Sequence, residues 1–346
     1  MRTLTIIFAV CIAAAGEQPR LRLYSDVPAI RSGQKSLWRD PGAIEHKDLR
    51  YGVGGPGLTP QPPFKFVKED GVGASPKVIV RDRNGRKWSV KFGDEVSGDI
   101  FGSRMAWALG YYAEPTYYVA RGTIRRAGPL KDFEDYIDAA GRFRHARFQL
   151  RSRFPEYLTG VSWSWPKNPF LGTRQLNGLK ILTMLLANWD NKDIRDANRG
   201  SNTSIFRTGN RYLFFINDWG ASMGDMGRGP GRLVQHFTHS KWDCADYHKQ
   251  SLKLVKIDDG ELDWGYRGAH NSMSEGLSQA DVRWLMNYLG RLRREQIHAG
   301  LVASGATAAE AACFTDSVMI RVGELNKVAR AAREPQKLTR AAATRR

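Results

Sequence analysis

The residues best suited to chemistry lie between Ile181 and Gly220, where an apolar run ends in Asn188-Trp-Asp190 and a polar loop follows. That loop carries Asp193, Asp196, Asn198 and Asn202, and an expected strand over Tyr212–Ile216 ends at Asp218-Trp-Gly220. Acids and amides at the ends of buried elements can hold a hard metal ion through oxygen, or take a proton from a hydroxyl. Earlier, Gly71, Gly73 and Ser75 share a short loop, Lys91 nears the end of an expected strand, and Asp99 falls in the first turn of an expected helix. Phosphoryl transfer asks for such an ordered set: backbone N–H groups around phosphates, a cation on their oxygens, a metal held by acid and amide, and an acid that orients the attacking hydroxyl. No member is specific alone; the order is what informs.

Each residue also has a plainer reading. Asp190, Asp193 and Asp196 can be a solvated helix end. Lys91 can be a solvated lysine at a sheet edge. Asp99 can simply favour the helix dipole, and the glycines can be a turn. Asp218 is harder to dismiss, because it follows Phe214-Phe-Ile216 and a carboxylate there needs a donor or an ion.

The elements that must position these groups are partly legible. Strands are expected at Phe64–Val67, Lys77–Arg81 and Lys87–Phe92, the last two joined by Asn84-Gly85, a strong hairpin signal. In the third strand Trp88, Val90 and Phe92 share one face, and Lys87, Ser89 and Lys91 the other. A helix starting at Ser97 or Gly98 runs to about Leu109, with Phe101, Met105 and Ala108 at helical spacing. A strand follows at Tyr117–Ala120. Gly122–Gly160 reads as basic and irregular, with a short helix near Asp132–Ala139. Thr173 caps a helix to Ala187, and Ser278 with Asp281 and Thr307 with Glu310 start two more. Met223–Arg232 reads as a glycine-rich loop. The expected fold class is α+β in two lobes: a β-rich N-lobe over 64–120 and a mainly helical C-lobe over 121–326, with a cleft between them.

Of the 346 residues 42% are apolar, enough for a packed core, and the net charge of +18 favours anionic partners. Part of that excess lies in the expected disordered tail over 327–346. Residues 1–15 read as a secretory signal peptide: Arg2, an apolar stretch over Leu4–Ile12, then Ala13-Ala-Ala15. The expected product is secreted or periplasmic, with no transmembrane segment. Residues 16–63 read as an irregular arm with a flexible linker at Tyr51–Gly57. Cys244 and Cys313 would remain, either as a disulfide or as two separate thiols.

With those residues in place, the chain resembles the atypical kinase-like folds: HipA-type bacterial kinases, phosphoinositide lipid kinases and secretory-pathway kinases. The resemblance rests on Asp190 in Trp189-Asp-Asn-Lys-Asp193, Asp218 in Asn217-Asp-Trp-Gly220, and Lys91 in Trp88-Ser-Val-Lys-Phe92. The chain is also similar, over about 60–326, to uncharacterised secreted bacterial proteins carrying Asn168-Pro-Phe, Gly178-Leu-Lys and Asn188-Trp-Asp. The kinase resemblance implies ATP with Mg²⁺ or Mn²⁺, and transfer to a hydroxyl-bearing or acidic acceptor. Asp190 or Asp193 would be the catalytic base, Asn198 or Asn202 the metal amide with Asp218, and Gly73, Ser75, Lys91 and Asp99 the nucleotide site. Asn falls five residues after Asp193 but Arg195 falls five after Asp190, whereas Asn202 precedes a strand as a metal amide should. There is no His-Arg-Asp triplet and no Walker A pattern. The alternative is an inactive kinase-like protein that binds an acidic envelope polymer.

Two rival constellations are expected to matter less. His236, His239, Asp243, Cys244, Asp246 and His248 have zinc-type side chains without a regular ligand spacing. Trp163–Phe170 beside Arg147, Arg151 and Arg153 could stack bases, but such aromatics are more often core, so nucleic acid is not the expected partner.

Overall fold

The structure, a computed structural model, describes residues 22–70, 77–125, 133–152, 155–190, 202–224, 241–265 and 273–331. The class is α+β, with seven α-helices and several sheets among those residues. The signal-peptide segment and most of the basic tail lie outside them, as does nearly all of the Met223–Arg232 loop. No described helix is long and apolar enough to cross a membrane.

The expected arm is an integral part of the fold. It contains β1 (Arg22–Leu23), α1 (Pro28–Ser32) and β2 (Gln34–Ser36). Its apolar residues Ile30, Leu37, Ile44 and Leu49 are all buried in the larger core. Tyr51–Gly57 is not a flexible linker: Gly52 is buried, and Tyr117 Oη donates to the Gly55 carbonyl at 2.8 Å.

Five strands then close a barrel in the order β3-β4-β5-β7-β6: β3 (Phe64–Glu69), β4 (Lys77–Arg81), β5 (Lys87–Phe92), β6 (Thr116–Arg125) and β7 (Arg142–Leu150). The β4–β5 hairpin turns at Gly85, whose φ of 77° suits a residue without Cβ. Alternation places Val78, Val80, Trp88, Val90, Phe92 and Phe148 in the barrel's own core. Between β5 and β6 the chain forms α2 (Val96–Ala108).

Gly122–Gly160 is therefore not irregular; it completes β6 and supplies β7. The alternation in β7 is broken at His145, whose φ is 55°. Phe143 faces the barrel core before it and Ala146 and Phe148 after it, so the parity of inward positions switches. The register with β6 stays unbroken across it, so this is a local twist with no inserted residue, and such a twist hides a strand from a period-two reading.

The larger core gathers β8 (Glu156–Tyr157), β9 (Val161–Ser162), α3 (Arg174–Leu185), β10 (Thr203–Thr208), β11 (Arg211–Ile216), α4 (Cys244–Ser251), β12 (Val255–Asp258), β13 (Glu261–Trp264), α5 (Gln279–Leu289), α6 (Arg294–Val302) and α7 (Ala308–Arg330). Thr173, Ser278 and Thr307 each cap a helix as expected, the last two in capping boxes. β10 and β11 form an antiparallel hairpin, and β2 joins β11 in parallel. Cys244 and Cys313 form a disulfide that ties α4 to α7. The expected tail begins late, since α7 runs to Arg330 and Val328 and Ala329 are buried.

Candidate functional site

Lys91 lies on the outward face of β5, yet it is only 2% exposed, because α2 covers it. The edge-lysine reading is thereby overturned. Its Nζ is 2.9 Å from Asp99 Oδ2, 2.5 Å from Glu95 Oε2 and 3.6 Å from Asp218 Oδ1. Asp99 sits in the first turn of α2, so the helix dipole and the ion pair act on it together. Its Oδ2 also meets Arg147 Nη1 at 2.6 Å, and its Oδ1 accepts the backbone N–H of Trp219 at 2.7 Å. One carboxylate thus fastens two barrel strands and the Asp218 turn. Lys241 closes the cluster from the other side, 2.7 Å from Glu95 Oε1.

Two glycines make this approach possible. Gly98 and Gly102 are four residues apart on α2 and share a face. A Cβ at Gly102 would stand 2.6 Å from Trp219 Cβ, and one at Gly98 3.1 Å from the Ser222 carbonyl oxygen. The Asp218-Trp-Gly220 turn therefore lies directly on the helix backbone. Its own geometry is fixed by Gly220 N–H donating to Asp218 Oδ1 at 3.0 Å and by Asn188 Nδ2 donating to the Asp218 carbonyl at 3.2 Å.

The electrostatics follow from crowding. Burial works against the charge of Lys91, but Asp218, Asp99 and Glu95 more than offset it, so its pKa is raised. Burial opposes ionisation of Asp99, while Lys91 and Arg147 outweigh it and hold the carboxyl below its usual range. Asp218 goes the other way, up to about 6: desolvation raises it, Lys91 pulls it down, and the charges of Asp99 and Glu95 push it up again. Its side chain keeps 37% exposure, against 20% for Glu95 and 2% for Asp99, so it is the carboxylate that this cluster presents outward.

The other half of the expected site is nearby. Asn202, buried just before β10, donates its side-chain amide to the Asp190 carbonyl. Asn217 N–H in turn donates to the Asn202 carbonyl at 3.0 Å, one residue before Asp218. Asp190, Asn202 and Asp218 are thus joined through backbone contacts, while Lys91, Asp99 and Asp218 meet through side chains. Gly73, Ser75, Asp193 and Asn198 lie outside the described residues.

Behind the cluster runs a chain of buried polar groups. Arg147 Nη2 donates to Gln149 Oε1 at 2.8 Å, and Gln149 Nε2 to Glu114 Oε2. Glu114 is raised to about 7, chiefly by burial. It lines a cavity of about 340 Å³ with Trp107, Tyr112, Leu150 and Phe206.

The zinc constellation does not form as expected among its described members. Cys244 is consumed by the disulfide, Asp243 caps α4, Asp246 pairs with Lys249, and His248 Nδ1 meets Ser317 Oγ at 2.8 Å. His236 and His239 lie outside the described residues. Among those residues no group of three His, Cys, Asp or Glu side chains is placed to hold a metal ion. Trp163 and Trp165 are buried, as is Arg147, so they belong to packing and to the ion cluster rather than to a base-stacking surface.

Sequence reasoning missed Glu95, Arg147 and Lys241. Glu95 was findable, four residues after Lys91 at a strand-to-helix corner. Arg147 was hidden by the break in alternation at His145. Lys241 borders a segment with no periodic signal. Comparison with protein-family models, with curated proteins and with solved structures finds no match. The site stands on its geometry.

Proposed function

We propose that this chain is a metal-dependent phosphotransferase with a two-lobe, kinase-like arrangement, acting in a secreted or periplasmic setting. It would move a phosphoryl group from a nucleoside triphosphate to a hydroxyl acceptor. The observation that carries the reading is the convergence of Lys91, Asp99 and Asp218, three groups from a barrel strand, the following helix and a distant turn. The element order supports it: three strands, a helix, two strands that complete the same sheet, and then a helix, the Asp190 segment, a hairpin and Asp218. The disulfide fits an oxidising compartment.

In this reading Lys91, held by Asp99, neutralises phosphate oxygens. The donors fit a hard divalent ion of the Mg²⁺ or Mn²⁺ type, which takes one or two protein oxygens and completes its shell with phosphates and water. Asp218 is the outward-facing carboxylate, crowded by negative neighbours that a cation would relieve, and Asn202, whose side-chain nitrogen donates to the Asp190 carbonyl, would offer its amide oxygen as the second ligand. Such an ion would offset charge on the phosphates. Asp190 orients the acceptor hydroxyl and takes its proton as the acceptor oxygen bonds to the terminal phosphorus and the bridging P–O bond breaks. The +18 charge suits an acidic acceptor.

The test is thermal stabilisation by ATP with Mg²⁺, followed by transfer from γ-labelled ATP. Asp218→Ala should abolish the stabilisation and lower transfer by at least about a hundredfold. A wild-type protein that ignores the nucleotide rules the reading out. A second reading, a non-catalytic binder of an acidic envelope polymer, is favoured by the three carboxylates already around Lys91. Nucleotide binding without transfer to any acceptor, or polymer binding alone, would select it.

A further inference from the structure

The register of the barrel places a third cation beside the two already described. Lys77 on β4 stands directly opposite Lys91 on β5, and Lys91 stands directly opposite Arg147 on β7. Residues paired across strands project from the same face, with Cβ atoms roughly 5 Å apart. Val78, the next residue, points into the barrel core, which confirms that Lys77 points out of it. Three cations therefore cross the sheet in one row, and two of them are ion-paired to Asp99 on α2.

Like charges directly opposite each other destabilise a sheet. Two of the three are compensated: Lys91 by Glu95, Asp99 and Asp218, and Arg147 by Asp99. Lys77 has no ion pair within 4 Å among the described residues. Asp70, the acid nearest in sequence, is 3.5 Å from Arg151 instead. Lys77 is half-buried, and burial together with Lys91 and Arg147 lowers its pKa. Asp218 and Asp70 act on it only from beyond ion-pair distance, so this half-buried ammonium beside two other cations has room in its charge balance for an external anion.

We propose that Lys77 is a second phosphate-binding cation of this crevice, reading the charge of a polyphosphate chain, while Lys91 is held in place by its carboxylates. This deepens the phosphotransferase reading and rests on it for the nucleotide, though not for the anion. The row would favour a ligand with two or three consecutive phosphates over a monophosphate, since a longer chain can touch both lysines. Arg147 stays behind Asp99 as a positioning residue.

The experiment compares AMP, ADP, ATP and inorganic tripolyphosphate, each with Mg²⁺, by calorimetry on the full chain and on Lys77→Ala and Lys77→Arg. Without ligand, Lys77→Ala should melt no lower than wild type, because it removes a repulsion. It should bind ATP and tripolyphosphate about tenfold more weakly and lose the preference for longer chains, as expected for one charge-assisted hydrogen bond. Lys77→Arg should retain most of both. Acetylation mapped by mass spectrometry adds a readout of contact: tripolyphosphate should protect Lys77 and leave exposed Lys65 reactive. If wild type binds ATP and Lys77→Ala matches it, this inference fails and the phosphotransferase reading stands. If wild type binds tripolyphosphate through Lys77 but no nucleotide, the inference stands and the enzyme reading fails. If no polyphosphate binds or protects, both fail.

Discussion

Two of the buried cationic centres among the described residues are neutralised in opposite ways. In the crevice, Lys91 and Arg147 face carboxylates on α2 and on the Asp218 turn. At the junction of α3, α4 and α7, Arg321 faces none within ion-pair distance among the described residues. Its Nη1 donates to the Met184 and Leu185 carbonyls, its Nη2 to the Tyr247 carbonyl and its Nε to Ser251 Oγ, and its guanidinium stacks 3.9 Å from the Tyr247 ring centre. Carbonyl dipoles and an aromatic face satisfy a cation without a mobile charge. Carboxylates can exchange a lysine for a metal ion, or release it to a phosphate. The first arrangement fixes three helices; the second suits a site whose charges must be shared with a ligand.

The disulfide gives the largest lever on that contrast. Replacing both Cys244 and Cys313 by Ser removes a cross-link spanning 69 residues and should cost about 4 kcal/mol, read by urea unfolding. Amides of α4 and α7 should lose hydrogen-exchange protection while polyphosphate binding survives. Loss of binding before unfolding would show that the two centres are not independent.

Next in size is Asp99→Ala, expected to cost about 3 kcal/mol, near the low end for breaking a buried pair because Glu95 and Asp218 still face Lys91. Equal destabilisation by Arg321→Met, with binding kept only in the latter, would sharpen the comparison.

The Glu114 carboxyl is raised from 4.5 in an unfolded chain to about 7 in the fold. A group that holds its proton more tightly when folded stabilises fully below its unfolded pKa, and that contribution fades as pH rises through the folded value. Stability should therefore fall by about 2 to 3 kcal/mol between pH 4.5 and 7 through this group. Glu114→Gln should remove that slope, and an unchanged pH profile would refute the assignment. Gly102→Ala has the smallest expected effect, about 1 to 2 kcal/mol, from forcing Trp219 off the helix. It should weaken ligand binding more than it lowers the melting temperature.

Much of the site was legible in the chain. Lys91 and Asp99 were placed by the Asn84-Gly85 turn and by helical spacing, and Asp218 by the apolar run before it. What escaped depends on register. Only strand pairing shows that Lys77, Lys91 and Arg147 are neighbours, and the positive-φ break at His145 concealed the strand that carries Arg147. The arm was misjudged for a related reason: its buried residues are spaced by turns and short helices, with no period to betray them.

The bare seam along α2 carries one last consequence. With no side chain at positions 98 and 102 to act as a spacer, the helix and the Asp218 turn leave no room to slide past one another. A swing of the helix that uncoupled Asp99 from Lys91 would have either to carry the turn with it or to strip the Trp219 amide of its acceptor. Helix and turn therefore behave as a single casting, and Asp218 is the part of it that faces outward.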